Sequence, residues 1–513
     1  MKTKLTPFSK LLIVIVVVGA LAWAAIHFNL IKLDKLNSGT DENDSTENVD
    51  FGDAKVLRVG VVTWGGYAGG QYFNRGFKPN KESQFFKDYG FLVEFIVLDD
   101  FNPSRDAWKS DKVDLLWTTI DAFTTEVAGL WEYKPQVIMQ SDWSRGGDAI
   151  VVRKGINTAG DLKGKKVAFA EMTPSHTFLL WVLEAANLKY SDIEPVIVES
   201  AFKAAELFKA GSVDAAVVWS PDDADCVAAV DGSKILQNTK DASNIIADVF
   251  IVKEAFLNSN KEMLTQFVEG WMKGAAEINT SEAAKKEAAK ILSDGFDNVF
   301  DETFCINAIN NVRLCTFGDN RAFFGLDPNY KGLTGKDIYT KMEAKFREIG
   351  YIEGRIPGYD QVANSSIIEA INLTGDQHLA EEAKTFVAPT EEATTSEAIS
   401  TKAVTITFQS GTSALDDNMK YIIDKEFLDI ARSFANLRIR IEGNTDDKGN
   451  RQSNIDLSRK RAQAVADYLI AEHGFDKNRF VIVGNGPDKP IAENSTEDGR
   501  SKNRRTEFQL IRE

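Results

Sequence analysis

The most restrictive feature of the sequence is one apolar stretch near its start, Leu11–Ile31, which only His27 and Asn29 interrupt. Roughly 20 residues of helix cross the hydrocarbon core of a bilayer, so this stretch predicts a transmembrane signal-anchor. Residues 1–10 carry lysines and no acid, which predicts a cytoplasmic tail with everything after the span exported. The small residues of Ala20-Leu21-Ala22 and of Ala22-Trp23-Ala24 leave cleavage of a signal peptide as the alternative.

Two polar, acidic stretches divide the exported part. Residues 32–54 include NSGTDENDSTENVD, and residues 376–402 include EEAKTFVAPTEEATTSEAIS. Such compositions cannot bury a core, so the first is predicted to be a flexible tether and the second a linker. They separate a body, residues 55–375, from a C-terminal unit, residues 403–513.

Composition excludes several functions. The chain has 513 residues, which at about 150 per domain suggests two to four domains. Acidic residues outnumber basic ones, 76 to 60, and the net charge of −16 repels phosphate backbones, so no nucleic-acid partner is expected. The 4 His and 3 Cys are dispersed, so no metal site is expected, and no cofactor is predicted.

The body alternates short apolar strands with amphipathic helices. This pattern predicts an α/β fold with mostly parallel sheets, and the length suits two lobes. Ligands in such folds lie beyond the carboxyl ends of the strands. The predicted strands are 56–62, 114–119, 165–170, 195–200 and 214–220, with helices at 176–188 and 201–211.

Hydroxyl and aromatic side chains follow several of these strands. Hydroxyls and free N–H groups at a helix start favour an anion, so we expect a small anionic or zwitterionic solute. The alternative is that the hydroxyls only cap a helix and the tryptophans only fill the core. The candidate solute-binding residues are Trp64, Tyr67, Thr118, Thr119, Thr173, Ser175 and Trp219.

Four segments of the body carry a family resemblance: WGGY, DKVDLLWTTIDAF, GGDAIVVRKGINTAGDLKGKKVAF and AGSVDAAVVWSPD. In this order they resemble periplasmic solute-binding proteins of the nitrate, sulfonate and taurine type, a group that also includes proteins binding thiamine-pyrimidine precursors. The resemblance implies a two-lobed type II periplasmic-binding-protein fold, with crossings at 148–153 and 246–252, and the seven candidates above in its cleft.

One branch of that fold is enzymatic, but no nucleophile–base pair is evident in this sequence, so no catalytic residue is predicted. A disulfide between Cys305 and Cys315 is left open, because spacing alone does not establish one.

The C-terminal unit is predicted to be a small α/β sandwich. Its apolar segments 403–408, 437–443, 479–484 and 506–511 indicate strands, and a helix follows the second of them.

The loops of this unit read EGNTDDKGNRQSNIDLSRKRAQAVADYL, GNGPDKPIAEN and GRSKNRRTEF. They resemble the OmpA-like peptidoglycan-binding domain over its full length. The resemblance implies that Asp446 and Arg461 hold the diaminopimelate of the stem peptide, assisted by Asn454 and Thr445. A zwitterionic head group needs one anion and one guanidinium, which this pair supplies. Arg504 and Arg505 are expected to be structural ion-pair partners.

Together these features predict a single-pass inner-membrane receptor with most of its chain in the periplasm. It would be anchored to peptidoglycan and would bind a small solute for an ABC-type transporter or a sensor. The alternative is a spacer or partner-binding module that has lost its ligand. An ion-driven stator is disfavoured, because such proteins need a carboxylate in the span and Leu11–Ile31 has none.

Overall fold

The computed structural model describes residues 53–406, 408–409 and 411–513. The predicted tail, the predicted span Leu11–Ile31 and nearly all of the first linker lie outside the described residues. Within the described part, no helix has the length and apolarity that crossing a membrane requires. Ala54–Glu513 forms one compact unit.

The body is built from alternating strands and helices, as predicted. Its strands are β1 (Val56–Val61), β2 (Leu92–Val97), β3 (Leu115–Thr119), β4 (Pro135–Ser144), β5 (Asp148–Val152), β6 (Lys166–Ala170), β7 (Glu194–Val198), β8 (Ala215–Trp219), β9 (Lys234–Asn238), β10 (Ala247–Lys253) and β11 (Val312–Leu314). Its helices are α1 (Ala68–Phe73), α2 (Gln84–Tyr89), α3 (Phe101–Lys109), α4 (Phe123–Leu130), α5 (Pro174–Ala185), α6 (Ala201–Lys209), α7 (Asp222–Ala229), α8 (Glu254–Ser259), α9 (Lys261–Thr280), α10 (Glu282–Gly295), α11 (Glu302–Asn310), α12 (Phe317–Phe323), α13 (Gly335–Glu348), α14 (Tyr359–Val362) and α15 (Ser366–Ala370).

Two sheets define two lobes. The first lobe has the strand order β11-β4-β10-β3-β1-β2, and the second has β7-β6-β8-β5-β9. The chain crosses between the lobes at residues 145–147 and returns at residues 239–246. The predicted crossings, 148–153 and 246–252, are therefore displaced: these residues largely form β5 and β10, which belong to the sheets.

The sheets are mixed, which corrects the prediction of mostly parallel strands. β1 pairs in parallel with β2 and β3, and β6 pairs in parallel with β7 and β8. β10 runs antiparallel to β3 and β4, and β5 runs antiparallel to β8 and β9. The reason is the two crossings: β4 leads out of the first lobe and β10 leads back into it, so the two neighbours run in opposite directions.

The C-terminal domain is a four-stranded sheet with helices packed against it. Its strand order is β12-β15-β13-β14, and a long helix, α18, connects the parallel strands β13 and β14. Its elements are β12 (Ser400–Val404), α16 (Asp417–Ile423), α17 (Asp429–Ser433), β13 (Arg438–Asn444), α18 (Arg451–His473), β14 (Phe480–Gly486), α19 (Glu497–Asn503) and β15 (Thr506–Ile511), with a π-helical turn (Asp424–Leu428) joining α16 to α17.

The second predicted linker, residues 376–402, is not a free tether. Phe386 is buried, its N–H donates to Asp476 Oδ2 at 2.8 Å, and Asn478 Nδ2 donates to its carbonyl oxygen at 2.9 Å. Strand β12 already begins at Ser400. The polar composition of the segment hides a few apolar residues, and these suffice to hold it against the C-terminal domain.

The body and the C-terminal domain are in direct contact. Gln237 Nε2 in the second lobe donates to Ser400 Oγ at 3.0 Å, and Arg512 pairs with Asp241 at 2.6 Å. The backbone N–H of Ala159 donates to the carbonyl of Ile399 at 3.0 Å. The C-terminal domain therefore docks on the second lobe.

Candidate functional sites

The C-terminal domain contains a cavity of about 370 Å³ beyond the carboxyl end of β13. All four predicted peptidoglycan-binding residues lie in its lining: Thr445 and Asp446 on the loop after β13, and Asn454 and Arg461 on α18. That lining includes Ile406, Phe408, Asn444, Thr445, Asp446, Lys448, Asn454, Arg461, Arg504 and Arg505.

Asp446 supplies the anion of this cavity. Its Oδ1 accepts from the N–H of Lys448 at 3.0 Å, and its Oδ2 accepts from Arg504 Nη1 at 2.7 Å. Its side chain remains 14% exposed, so the carboxylate can still reach a ligand. Arg504 also donates to Glu497 at 2.7 Å, which agrees with the expected ion-pair role.

Arg461 supplies the guanidinium. Its Nε and Nη2 donate to the carbonyl oxygens of Thr412 and Gln409 at 3.0 and 3.2 Å, and its Cζ lies 4.8 Å from the centre of the Phe408 ring. The pKa of Arg461 is lowered overall. Burial is the largest cause, Asp446 partly opposes it by raising the pKa, and the nearby charge of Arg504 lowers it. Its Nη1 has no protein acceptor among the described residues, which leaves a donor for a carboxylate.

The other two predicted residues shape the loop around this pair. Asn454 Nδ2 donates to the carbonyl of Lys448 at 2.8 Å. Thr445 is buried, its N–H donates to the carbonyl of Gly486 at 2.8 Å, and its Oγ1 donates to that of Asp446. Phe408 and the carbonyls of Gln409 and Thr412 were not predicted, because no charge or motif marks them in the sequence.

The boundary between the two lobes contains a different kind of site, which the sequence analysis missed. Four aspartates are buried there: Asp121 after β3, Asp142 on β4, Asp148 at the start of β5 and Asp248 on β10. Asp248 lies directly opposite both Asp142 and Thr119 in the pairing of β10 with its neighbours. The strand register therefore brings Asp142 and Asp248, which lie next to the two crossings, directly opposite each other.

Three of these carboxylates accept hydrogen bonds from neutral groups. Asp248 accepts from Tyr67 Oη at 2.5 Å, Asp148 from Ser144 Oγ at 2.7 Å, and Asp142 from Trp64 Nε1 at 3.2 Å. No Lys, Arg or His of the described chain forms an ion pair with any of the four. Burial raises the pKa of Asp148 to about 7, and burial together with Asp142 raises that of Asp248 further.

Asp121 has no hydrogen-bond partner on either carboxylate oxygen within the described chain. Burial raises its pKa to about 7; the nearby hydroxyls of Thr177 and Thr119 lower it in part, and Asp148 raises it. These two hydroxyls come from different lobes, and they too are buried without a partner in the described residues, as is that of Ser175. Unsatisfied buried polar groups are rare in proteins and indicate a missing partner.

The seven predicted solute-binding residues divide into two groups. Tyr67 and Thr118 are committed to the protein, since Thr118 donates to Glu126, which in turn pairs with Arg105 at 2.7 Å. Thr173 caps α5: its Oγ1 accepts from the N–H of Ser175 at 3.3 Å, the structural alternative considered above.

The remaining four belong to the boundary. Thr119 and Ser175 keep unpartnered hydroxyls, and the Nε1 of Trp219, which lies opposite Asp148 in the sheet, is buried without an acceptor in the described chain. The ring of Trp64 covers Gly147 at the crossing, where an added Cβ would lie 1.9 Å from Cη2 of the indole. Only glycine therefore permits this contact.

Chemistry based on cysteine or histidine is poorly supported in the body. Cys226, Cys305 and Cys315 are buried free thiols, and burial raises the pKa of each. His176 is buried among aromatic rings, which lowers its pKa to about 3. In the described chain, no group of three His, Cys, Asp or Glu residues is arranged to hold a metal ion.

Comparison with known families agrees with both halves of this description. Residues 80–282 match the model described as NMT1/THI5 like, and residues 407–504 match the OmpA family. The chain carries an NMT1/THI5-like domain followed by an OmpA domain. The predicted family resemblances are thereby confirmed.

Individual relatives cover only one domain each. Outer membrane porin F of Pseudomonas aeruginosa is 37% identical over 86 residues, 17% of this chain and 25% of that protein. Peptidoglycan-binding protein ArfA of Mycobacterium tuberculosis is 42% identical over 88 residues, 17% of this chain and 27% of that protein. The chain thus spans about a quarter of the length of these relatives. The periplasmic aliphatic sulphonate binding protein SsuA from Escherichia coli aligns with 60% of this chain and 97% of its own, at 17% identity and a TM-score of 0.47.

Proposed function

We propose that this protein is a solute receptor of the cell envelope whose C-terminal domain binds peptidoglycan. The observation that carries the receptor function is the set of buried polar side chains between the lobes that lack partners within the described chain. Thr119 and Asp121 come from the first lobe, and Ser175 and Thr177 from the second. A solute between the lobes would satisfy groups on both sides at once.

The C-terminal cavity supports peptidoglycan as the second partner. Asp446 and Arg461 place a carboxylate and a guanidinium in one cavity, which suits the ammonium and carboxylate of a diaminopimelate head group. Losing either charge-assisted contact removes about 1.5–3 kcal/mol, which weakens binding about tenfold to a hundredfold.

Sedimentation of the full-length protein with purified peptidoglycan tests this proposal. Asp446→Asn and Arg461→Lys are expected to reduce co-sedimentation while the C-terminal domain still unfolds cooperatively as a folded domain. Asp447→Asn and Arg459→Lys are matched controls, because both residues are exposed and lie outside the cavity lining. If the first two variants sediment like the controls, these residues do not hold the wall.

We also propose that Leu11–Ile31 tethers the receptor to the inner membrane, where it would deliver its solute to a transporter or a sensor. The support is the length of that apolar stretch. N-terminal sequencing of protein extracted from membranes tests the tether, and a mature start near Ala25 would contradict it.

A spacer is the competing function for the body. Its support is the docking of the C-terminal domain on the second lobe through Gln237 and Asp241, which would fix the two domains relative to each other. A receptor gains thermal stability from its solute and a spacer does not, so a ligand screen by thermal unfolding separates the two functions.

A further inference from the structure

We propose that the solute held between the lobes is an organic cation, whose positive group lies among Asp121, Asp142, Asp148 and Asp248. This inference rests on the proposed receptor function and replaces the anionic or zwitterionic solute that the sequence favoured. The hydroxyls at the start of α5 suggested an anionic ligand. The fold, however, places the carboxyl groups of these four aspartates near them, and carboxylates repel an anion.

The first argument is charge balance. Asp142, Asp121 and Asp148 all raise the pKa of Asp248, and Asp148 also raises that of Asp121 and Asp142. No cationic side chain of the described protein pairs with any of the four. The buried guanidinium in their neighbourhood, Arg105, is already paired with Glu126 at 2.7 Å. With no cationic partner, burial favours the protonated form of these carboxyls near neutral pH, and a bound cation would supply the positive charge that stabilises the ionised form of the cluster. An anionic solute would add a further negative charge to it.

The second argument is the unpartnered polar atoms. Neither oxygen of Asp121 accepts a hydrogen bond at ordinary bonding distance within the described chain, although the buried hydroxyls of Thr119 and Thr177 lie near enough to lower its pKa. In its ionised form Asp121 only accepts hydrogen bonds, so a ligand that completes this form must be a donor. A protonated amine or an amidine supplies several donors together with the missing charge.

The third argument distinguishes an organic cation from a metal ion. The described acidic side chains are not arranged as metal ligands in groups of three. Indole rings lie beside two of the carboxylates instead: Trp64 donates to Asp142, and Trp219 lies opposite Asp148 in the sheet. Aromatic faces next to anions attract alkylammonium and guanidinium groups.

Thermal unfolding and calorimetric titration of the full-length protein test the inference. The probes are the cations putrescine, agmatine and choline, the anions nitrate and ethanesulfonate, and the zwitterion taurine. We expect at least one cation to raise the melting temperature and the anions to leave it unchanged. Asp121→Asn should weaken binding of that cation at least tenfold. Asp114→Asn is the matched control, because Asp114 is paired with Arg58 away from the boundary.

The possible results have distinct meanings. If nitrate, ethanesulfonate or taurine stabilises the protein and no cation does, the receptor function stands and the cationic solute is wrong. If a cation binds Asp121→Asn as tightly as the parent, its site is elsewhere and the inference is also wrong. If none of the six probes binds, both the cationic solute and the receptor function lose their support.

Discussion

Ionisation of the four aspartates between the lobes is unfavourable, because it places like charges close together and away from water. Hydroxyl and indole donors relieve this for Asp142, Asp148 and Asp248. For Asp121, the nearby hydroxyls of Thr177 and Thr119 lower the pKa only in part, and neither carboxyl oxygen accepts a hydrogen bond at ordinary distance within the described chain. At the scale of single residues, the body therefore keeps a destabilising group, which is typical of a binding site that trades stability for function.

This arrangement predicts how stability depends on pH. The pKa of Asp121 rises from 3.8 to about 7 on folding, so its contribution is fully present below pH 4 and is lost as the pH rises through 7. Removing this carboxyl should therefore raise the unfolding free energy at pH 8, relative to the parent, by a few kcal/mol, on the order of the shift. Asp121→Asn and the parent are to be compared by denaturant unfolding, without ligand, from pH 5 to 8.

The comparison between variants is necessary because other groups titrate in the same range. His176, with its pKa lowered to about 3, favours folding as the pH rises, whereas Asp148 acts in the same direction as Asp121. The effect of His176 is the same in parent and variant and cancels in the difference, whereas Asp148 and Asp248 interact with Asp121, so their altered titration forms part of the measured difference. A difference that stays constant from pH 5 to 8 would show that Asp121 does not titrate as described.

Single residues were predictable from the sequence only where a motif marks them. Asp446 and Arg461 stand in a specific loop pattern, and the structure places both in one cavity. Asp142 and Asp248 are separated by more than a hundred positions, and only the antiparallel pairing of β4 with β10 makes them neighbours. An isolated aspartate on a strand carries no local signal of burial, so this half of the site could not be predicted.

At the scale of elements, the shape of the C-terminal cavity depends on how closely α18 packs against β13. An added Cβ at Gly443 would lie 2.2 Å from the carbonyl oxygen of Ser458, which is closer than van der Waals contact allows. Asp446 lies on the loop two residues after the strand and Arg461 lies on the helix, so the contact between strand and helix helps to set their separation. The sequence predicted both elements correctly but not their separation, because propensity says nothing about contact distance.

Gly443→Ala is therefore expected to destabilise the C-terminal domain by about 1–3 kcal/mol through overpacking and to reduce binding to peptidoglycan. Thermal unfolding and co-sedimentation of the full-length protein measure the two effects. Gly129→Ala is the control, since Gly129 lies within α4 with no atom within 4 Å of its added Cβ. Alanine there should leave stability unchanged or raise it by up to about 1 kcal/mol. Equal stabilities for the two variants would contradict the close contact.

At the scale of the whole molecule, a segment that looked like a linker joins the domains firmly. Phe386 is 5% exposed, and the cationic groups of Arg438 and Lys384 lie 5.5 and 4.8 Å from its ring centre. Composition predicted a flexible chain here because the segment is acidic and poor in apolar residues. The contacts of one buried aromatic side chain with neighbouring cations hold the segment in place, which its average composition does not reveal.

Phe386→Ala should release this segment and make residues 376–399 sensitive to protease, while the two domains keep their folds. Limited proteolysis followed by mass spectrometry locates the cuts. Val387→Ala serves as the control, because Val387 is 74% exposed and should tolerate the change. Cleavage of the parent in this segment at the rate of the Phe386 variant would contradict a fixed connection.

The connection has a mechanical consequence. Glu381 is fastened to the first lobe through Asp319 and Arg145, Phe386 is fastened to the C-terminal domain, and that domain docks on the second lobe. The residues between Glu381 and Phe386 thus form a short connecting segment from the first lobe to the C-terminal domain, which itself docks on the second lobe. Five Cα steps extend to at most about 18 Å. While both ends stay in place, this short segment limits how far the first lobe can separate from the C-terminal domain and so from the second lobe.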